Sequence, residues 1–331
     1  MKNNSKRERW KTKLGLVLAM SGNAIGLGYF LRFPGKAAEN GGGAFLIPYF
    51  IAFILMAIPV MWLEWTMGRF GGMRGHGTTP GMFQTMWKSR AAKYIGVIGI
   101  FIPTVIVVYY TYIGSWTLGF SIYSLLDMLP KVDQSILHPG MSHHEISQVI
   151  LKPFDEFRAG YTGVASGEFL KVHFFTYFVF ISVLILSVWL LMRGISRGIE
   201  ILAKIAMPML FVIAVILVVR VFTLGHPVSG EYGPLNGLAF LWEPKWFIER
   251  NGQEIFVLLD PKTWLEAAGQ MFFTLSLGFG AIQCYASYLY RDDDVVLTGL
   301  ATTSANEFAE VILGGSLAIP AAAAFFGITA A

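Results

Sequence analysis

The chain has 331 residues, of which 55% are hydrophobic and 14% charged, whereas a soluble domain carries about 25% charged residues. This composition, with a mean hydropathy of +0.57, excludes an ordinary soluble protein and predicts an integral membrane protein surrounded by lipid. The net charge of +4 calls for no nucleic acid as a partner, because the basic residues cluster in short loops.

The first apolar run, at residues 14–38, contains a sequence that interrupts its own helix. Its middle holds Gly22, Asn23, Gly26 and Gly28, and these residue types propagate a helix poorly. Within lipid, unwound backbone is tolerated only where protein buries it or where it lines a cavity. The run therefore predicts a broken span with a binding site at the break, and a glycine-rich packing face is the alternative.

This first break offers two kinds of backbone group. The carbonyl oxygens of Gly22, Ala24 and Ile25 suit a hard cation, which prefers oxygen ligands. The amides near Leu27 and Gly28 begin the next half-helix, whose positive end suits a carboxylate. We therefore expect a cation and an anionic group to bind side by side.

Six further runs are long enough to span the hydrocarbon core, and they lie at residues 43–68, 92–126, 173–192, 199–223, 262–289 and 295–328. The chain is thus predicted to be an all-α polytopic protein with about seven transmembrane helices. The sixth run carries a second break at residues 275–280, which read Leu-Ser-Leu-Gly-Phe-Gly. A pair of glycine-interrupted apolar segments indicates the substrate site of a secondary transporter.

The basic residues predict the orientation of the chain in the membrane. They concentrate in the amino-terminal tail and in the loops after the second and fourth runs, whereas the loops at residues 127–172 and 224–261 hold more acid than base. The positive-inside rule therefore places the amino terminus on the cytoplasmic side. We expect the protein to lie in the plasma (inner) membrane. The chain stops without a polar tail after residue 327, which leads us to expect a fragment of a longer protein.

Several motifs resemble the neurotransmitter:sodium symporter family, and they occur in the family's order at residues 22–28, 30–34, 39–45, 75–80, 193–195 and 272–280. The resemblance implies a LeuT-like inverted-repeat fold with broken helices 1 and 6. It implies a single transmembrane domain over residues 1–331. Residues 1–223 would form the first five-helix repeat, and residues 224–331 would begin a second repeat, truncated after helices 6 and 7.

The implied function is sodium-dependent symport of a small neutral amino acid, aliphatic or aromatic, with sodium as the bound ion and no enzymatic step. One alternative is a truncated or degenerate relative that binds a substrate or a partner without transporting it. A seven-helix receptor is the other alternative. The cytoplasmic amino terminus and the absence of lysine from the seventh run argue against it. The oligomeric state and the identity of the amino acid stay open.

The resemblance implies a substrate site formed by Ala24, Leu27, Gly28, Ile106, Tyr110, Phe273, Thr274, Ser276 and Phe279. In that site the Tyr110 hydroxyl would bond the substrate carboxylate and Ile106 would shape the side-chain pocket. The carbonyls of Phe273 and Thr274 would receive the amine. From the residues alone, a packing or interfacial tyrosine and an ordinary core face are the alternatives.

The implied sodium ligands are Gly22, Ala24, Ile25, Thr274 and Asn306. This chain departs from the family at Tyr29, where relatives usually carry an asparagine whose side chain binds the sodium next to the substrate. A phenol is longer than that side chain, so we expect either a shifted geometry or a lost ion at this site.

Glu310 stands where chloride-dependent relatives carry a small hydroxyl residue, so the resemblance implies a carboxylate that substitutes for chloride. Its alternative is a protonated buried acid satisfied by Tyr49 or Gln270. Glu64, in the second run, is expected to lie buried near the first helix and to bond helix ends. The implied gate residues are Arg32 on the outside and Arg7, Trp10 and Tyr288 on the inside.

Overall fold

The computed structural model describes residues 8–26, 28–132, 141–164, 173–227 and 233–327, and most of these are helical. The α-helices, numbered along the chain, are α1 (Lys13–Ala24), α2 (Phe33–Glu39), α3 (Leu46–Ala52), α4 (Ile58–Met73), α5 (Thr79–Met86), α6 (Ala91–Gly96), α7 (Ile98–Leu125), α8 (His143–Thr162), α9 (Phe174–Met192), α10 (Glu200–Phe222), α11 (Pro234–Trp242), α12 (Pro261–Thr274), α13 (Ala281–Ala286), α14 (Val295–Glu307) and α15 (Gly315–Phe326). Segments of π-helix extend or join several of them, at Gly28–Arg32, Phe53–Ala57, Ile195–Ile199 and Phe308–Gly314.

Five helical stretches among the described residues are long and apolar enough to cross a membrane, and they are Leu46–Met73, Ala91–Leu125, Phe174–Met192, Ile195–Phe222 and Val295–Phe326. A sixth span results when α1 and the segment Gly28–Glu39, which meet at 46°, are counted together. The sixth predicted run, residues 262–289, is divided between α12 and α13. With 14 and 6 residues, neither is long enough to cross the hydrocarbon core alone.

The two long loops contain regular structure that the apolar runs did not indicate. The loop 127–172 holds α8, which begins at a capping box in which the Ser142 hydroxyl and the Glu145 carboxylate each accept the other residue's backbone amide. The loop 224–261 holds α11 and an antiparallel hairpin of β1 (Phe247–Arg250) and β2 (Gln253–Phe256).

Close helix contacts assemble the elements that carry the predicted site. The segment α1 packs against α10 and α14, α3 packs against α12, and α4 packs against α13. Small residues permit these contacts, as is common between membrane helices: a Cβ added to Gly68 in α4 would lie 2.7 Å from the Cβ of Ala286 in α13. As a result, α14 contacts the helix before the first predicted break, and α4 contacts the helix after the second.

Candidate functional site

The first segment leaves helical geometry at Ile25, where ψ is 107° and the backbone amide still donates to the Ser21 carbonyl at 2.6 Å. Helical structure resumes as a π-helical turn at Gly28. The last carbonyls of a helix have no partner in a following turn, so the end of α1 supplies backbone oxygens at this point. Leu27, predicted to contribute an amide here, lies outside the described residues.

The chain also leaves helical geometry between the end of α12 at Thr274 and the start of α13 at Ala281. Ser276 adopts a φ of 54°, a left-handed conformation that is uncommon for residues other than glycine. From α4, the buried Glu64 carboxylate accepts the Gly278 backbone amide at 2.6 Å. Glu64 therefore bonds an interrupted backbone as expected, and the backbone amide that it accepts belongs to the second segment.

A cavity of about 570 Å³ lies between these two segments, α7 and α10. It brings together ten of the predicted substrate and sodium residues, namely Gly22, Ala24, Ile25, Gly28, Ile106, Tyr110, Phe273, Thr274, Ser276 and Phe279. Most of its other lining residues are apolar, and none of the described residues that line it is an acid, a lysine, an arginine or a histidine. The cavity therefore suits a small molecule whose side chain carries no charge.

Glycines allow aromatic side chains to approach the first segment closely. A Cβ added to Gly26 would lie 2.6 Å from the Tyr110 hydroxyl, and one added to Gly28 would lie 3.0 Å from the Phe273 ring. The Tyr110 hydroxyl thus faces the interrupted backbone, where a bound polar group would meet both. Arg32 lies over the same ring, with its guanidinium carbon 4.7 Å from the Phe273 centroid, and its Nη1 donates to the Gln270 Oε1 at 2.8 Å.

A buried carboxylate lies behind the cavity. Glu310, which is 0% exposed, occupies the π-helical segment after α14. Its Oε2 accepts the hydroxyls of Thr274 at 2.8 Å and Tyr49 at 3.0 Å, and its Oε1 accepts the amide of Gln270. All three partners donate, so the arrangement suits a negatively charged acceptor. The two partners expected for Glu310, Tyr49 and Gln270, are both in contact with it.

The departure at Tyr29 places a phenol inside the protein. Tyr29 is 0% exposed, and its hydroxyl donates to the Oδ1 of Asn306. The Asn306 amide nitrogen in turn donates to Glu307 at 3.3 Å. The phenol therefore reaches the predicted sodium ligand Asn306 directly. Among the described residues that line the cavity, neither Tyr29 nor Asn306 appears, so this contact lies behind the cavity wall.

The amino-terminal tail is attached beneath the cavity. The Trp10 indole nitrogen donates to the Tyr285 carbonyl at 3.1 Å and its ring stacks on Tyr285, while Arg9 donates to the Leu289 carbonyl. Tyr288 packs against the same apolar core as Trp10. Arg7, the other predicted inner gate residue, lies outside the described residues.

Two acids with polar contacts in the structure were not indicated by the sequence. Glu8 accepts the backbone amide and the hydroxyl of Ser196, at 2.8 Å and 2.9 Å, just before α10. Burial opposes its charge, but the hydrogen bonds from the amides of Ser196 and Ile195 hold the pKa of Glu8 below its ordinary value. Glu307 was the other omission, and an ionisable residue within a predicted membrane helix was the signal available for it.

Comparisons with known proteins identify the family of the chain. A family profile described as the sodium:neurotransmitter symporter family matches residues 7–327. An uncharacterized sodium-dependent transporter of Methanocaldococcus jannaschii is 30% identical over 91% of this chain and 53% of its own length. The sodium-dependent neutral amino acid transporter B(0)AT2 of Rattus norvegicus is 27% identical over 93% of this chain and 40% of its own length.

A solved structure has a similar fold. The crystal structure of MhsT in complex with L-phenylalanine superimposes with a TM-score of 0.71 and 29% sequence identity, over 97% of this chain and 63% of MhsT. The chain spans about half the length of the relatives that it matches.

Proposed function

The chain belongs to the sodium:neurotransmitter symporter family, and we propose on that basis that its whole protein is a sodium-driven symporter of a small neutral amino acid. The family consists of multi-pass membrane transporters, not enzymes. In this proposal residues 1–223 form the first five-helix repeat and residues 224–331 begin the second. The protein lies in the plasma (inner) membrane with a cytoplasmic amino terminus.

The observation that carries the proposal is the cavity between the two interrupted segments. A free amino acid offers a carboxylate and an ammonium group that must both be satisfied, and interrupted helices supply free amides and carbonyls for them. The amides at Leu27 and Gly28, together with the Tyr110 hydroxyl, receive the carboxylate, and the carbonyls of Phe273 and Thr274 receive the amine.

The apolar lining supports an uncharged side chain. Ile106, Ser276 and Phe279 surround the space left for it, and burying an unpaired charge there is unfavourable. MhsT was solved with L-phenylalanine, and B(0)AT2 is a neutral amino acid transporter, so an aliphatic or aromatic substrate is consistent with both relatives.

Sodium binds backbone oxygens at the end of α1. Gly22 and Ile25 line the cavity, and their carbonyls are the uncharged oxygen ligands that a hard cation accepts. Binding there stabilises the interrupted conformation before the substrate docks. The other ion that the resemblance implies, at Ala24, Thr274 and Asn306, meets a different environment because Tyr29 contacts Asn306 directly.

Transport does not require chloride in this proposal. Glu310 already supplies a negative charge to the donors of Tyr49, Thr274 and Gln270, which is the role of a bound halide. Arg32 closes the outer end of the cavity above Phe273. Trp10 and Tyr288, with Arg7, close the inner end.

The test is uptake by the protein in proteoliposomes under an inward sodium gradient. We expect uptake of radiolabelled leucine or phenylalanine that collapses when choline replaces sodium inside and outside. Unlabelled neutral amino acids should compete, whereas glutamate and lysine should not. Competition by glutamate or lysine alone would refute the substrate assignment. Saturable binding without sodium-driven uptake would favour the alternative of a relative that binds but does not transport.

A further inference from the structure

Tyr29 is held in a single inward orientation by its surroundings. It lies in the π-helical turn Gly28–Arg32 and is 0% exposed. Gly314 of the segment after α14 packs against its backbone, so that a Cβ added there would lie 3.1 Å from the Tyr29 carbonyl carbon. Ala309 and Met207 complete the apolar cluster around its ring. The phenol is therefore a fixed part of the interior.

The polar end of Tyr29 meets the atoms that a sodium ion next to the substrate would need. Its hydroxyl donates to the Oδ1 of Asn306, the single side-chain oxygen of that residue. The Asn306 amide nitrogen donates to the Glu307 Oε1, so rotating the amide by 180° would break this hydrogen bond and set two acceptors, the Asn306 Oδ1 and the Glu307 Oε1, against each other. Hydrogen bonding therefore fixes Asn306 with its oxygen directed at the phenol.

A cation does not fit this arrangement. The ligands of one ion surround it and leave the ion between them, whereas the Tyr29 hydroxyl and the Asn306 oxygen are in direct hydrogen-bond contact. The hydroxyl proton already points at the oxygen that the ion would have to bind. The third side-chain candidate, the Thr274 hydroxyl, donates to Glu310 at 2.8 Å; this does not withdraw its oxygen from an ion, so the misfit lies at Tyr29 and Asn306.

We propose that the Tyr29 hydroxyl replaces the sodium ion that the family resemblance implies at Ala24, Thr274 and Asn306. The proton of the Tyr29 hydroxyl then occupies the Asn306 Oδ1 that a cation would otherwise bind. This inference rests on the proposed function and specifies its coupling: the protein binds one sodium ion, at the end of α1, instead of two. Substrate accumulation accordingly follows the first power of the sodium gradient and not its square.

The test counts bound ions directly. Equilibrium binding of ²²Na⁺ to the purified full-length gene product measures the sodium ions per protein, whether or not transport occurs. We expect one ion for the wild type. Tyr29→Asn removes the phenol and offers a shorter carboxamide oxygen, so we expect it to bind a second ion.

Two matched variants test whether the ring alone excludes the ion and whether the loss of any buried tyrosine changes the count. Tyr29→Phe keeps the ring in place and should still bind one ion, because the volume next to Asn306 remains filled. Tyr161→Phe changes another buried tyrosine, in α8 and outside both interrupted segments, and should also bind one ion. The wild-type count remains decisive if the Tyr29 variants do not fold.

The outcomes separate this inference from the proposed function. Two ions bound by the wild type, or one ion bound by a folded Tyr29→Asn variant, overturn the replacement of sodium by Tyr29 and leave sodium-driven symport standing. No ion bound by the wild type overturns sodium coupling itself, and the inference with it. A sodium Hill coefficient near two for wild-type uptake would also contradict a single ion.

Discussion

Substitution of Glu310 by serine should make the proposed transport depend on chloride. The carboxylate accepts three buried donors, from Tyr49, Thr274 and Gln270. Serine is too short to meet them, and each buried donor left without an acceptor costs about 1–3 kcal/mol. Three such donors together cost roughly 3–9 kcal/mol as an upper bound. That loss is comparable to the whole stability of many proteins, about 5–15 kcal/mol.

A chloride ion bound in the vacated space would accept the same donors, so Glu310→Ser should recover most of this loss in chloride. Uptake and thermal unfolding of the purified protein should be compared in sodium chloride and sodium gluconate. We expect the wild type to behave alike in both salts and the variant to be active and stable only in chloride. Glu64→Ser is the matched control, because that buried carboxylate accepts one backbone amide and its loss should weaken the protein equally in both salts.

Two results would refute this reasoning. Wild-type uptake that falls in gluconate would show that Glu310 does not replace the halide. Equal activity of Glu310→Ser in both salts would show that the three donors need no negative partner. Glu310→Gln should cause a smaller loss. Its carboxamide has one oxygen that accepts and one NH2 group that donates, so one of the buried donors loses its acceptor. We expect a loss of about 1–3 kcal/mol that chloride does not restore.

Three further substitutions test other contacts. Tyr110→Phe should weaken substrate binding by roughly 10- to 150-fold, since a hydrogen bond to a charged group contributes about 1.5–3 kcal/mol, and equal affinity in a binding titration would remove Tyr110 from the carboxylate site. Glu64→Leu should lower the free energy of unfolding by about 1–3 kcal/mol by leaving the Gly278 amide unpaired, whereas Glu64→Gln keeps an acceptor and should lose less in thermal unfolding. The pKa of Glu8 lies below its ordinary value. The hydrogen bond from the Ser196 amide to the Glu8 carboxylate is therefore at full strength when the pH is above the ordinary carboxyl pKa, and it is lost as the pH falls through the lowered pKa. Glu8→Gln should therefore accelerate hydrogen exchange at Ser196 about fivefold at neutral pH, for a loss near 1 kcal/mol, and an unchanged rate would contradict the attachment.

Local sequence signals located the places where the chain departs from helix, because helix propensity depends on each residue itself. The glycines around Gly22 and Gly278 mark positions close to the ends of α1 and α12. The partner that stabilises the second segment was beyond this reasoning. Glu64 lies 214 positions from Gly278, and nothing in the local pattern assigns it to that segment in preference to the first.

The orientation of Tyr29 was also beyond sequence reasoning, for a geometric reason. Residues in a regular α-helix share a face at spacings of three or four, whereas Tyr29 lies in a π-helical turn, which has a wider spacing. Glu310 also follows a change from α14 to a π-helical segment, yet the partners expected for it, Tyr49 and Gln270, both contact it. A uniform helical period therefore failed to give the direction of Tyr29 but did not prevent the prediction for Glu310.

The polar contacts of the site concentrate on one short stretch, which runs from the end of α14 into the π-helical segment that follows it. Asn306 contacts Tyr29 next to the first interrupted segment, and Glu310 contacts Thr274 at the start of the second. Because the contacts join buried groups in a medium of low dielectric constant, each is costly to leave unmade. Departures from local helical rules are expected where function requires them. Here both interrupted segments contact the stretch from Asn306 to Glu310, and Glu64 of α4 supports the second one as well.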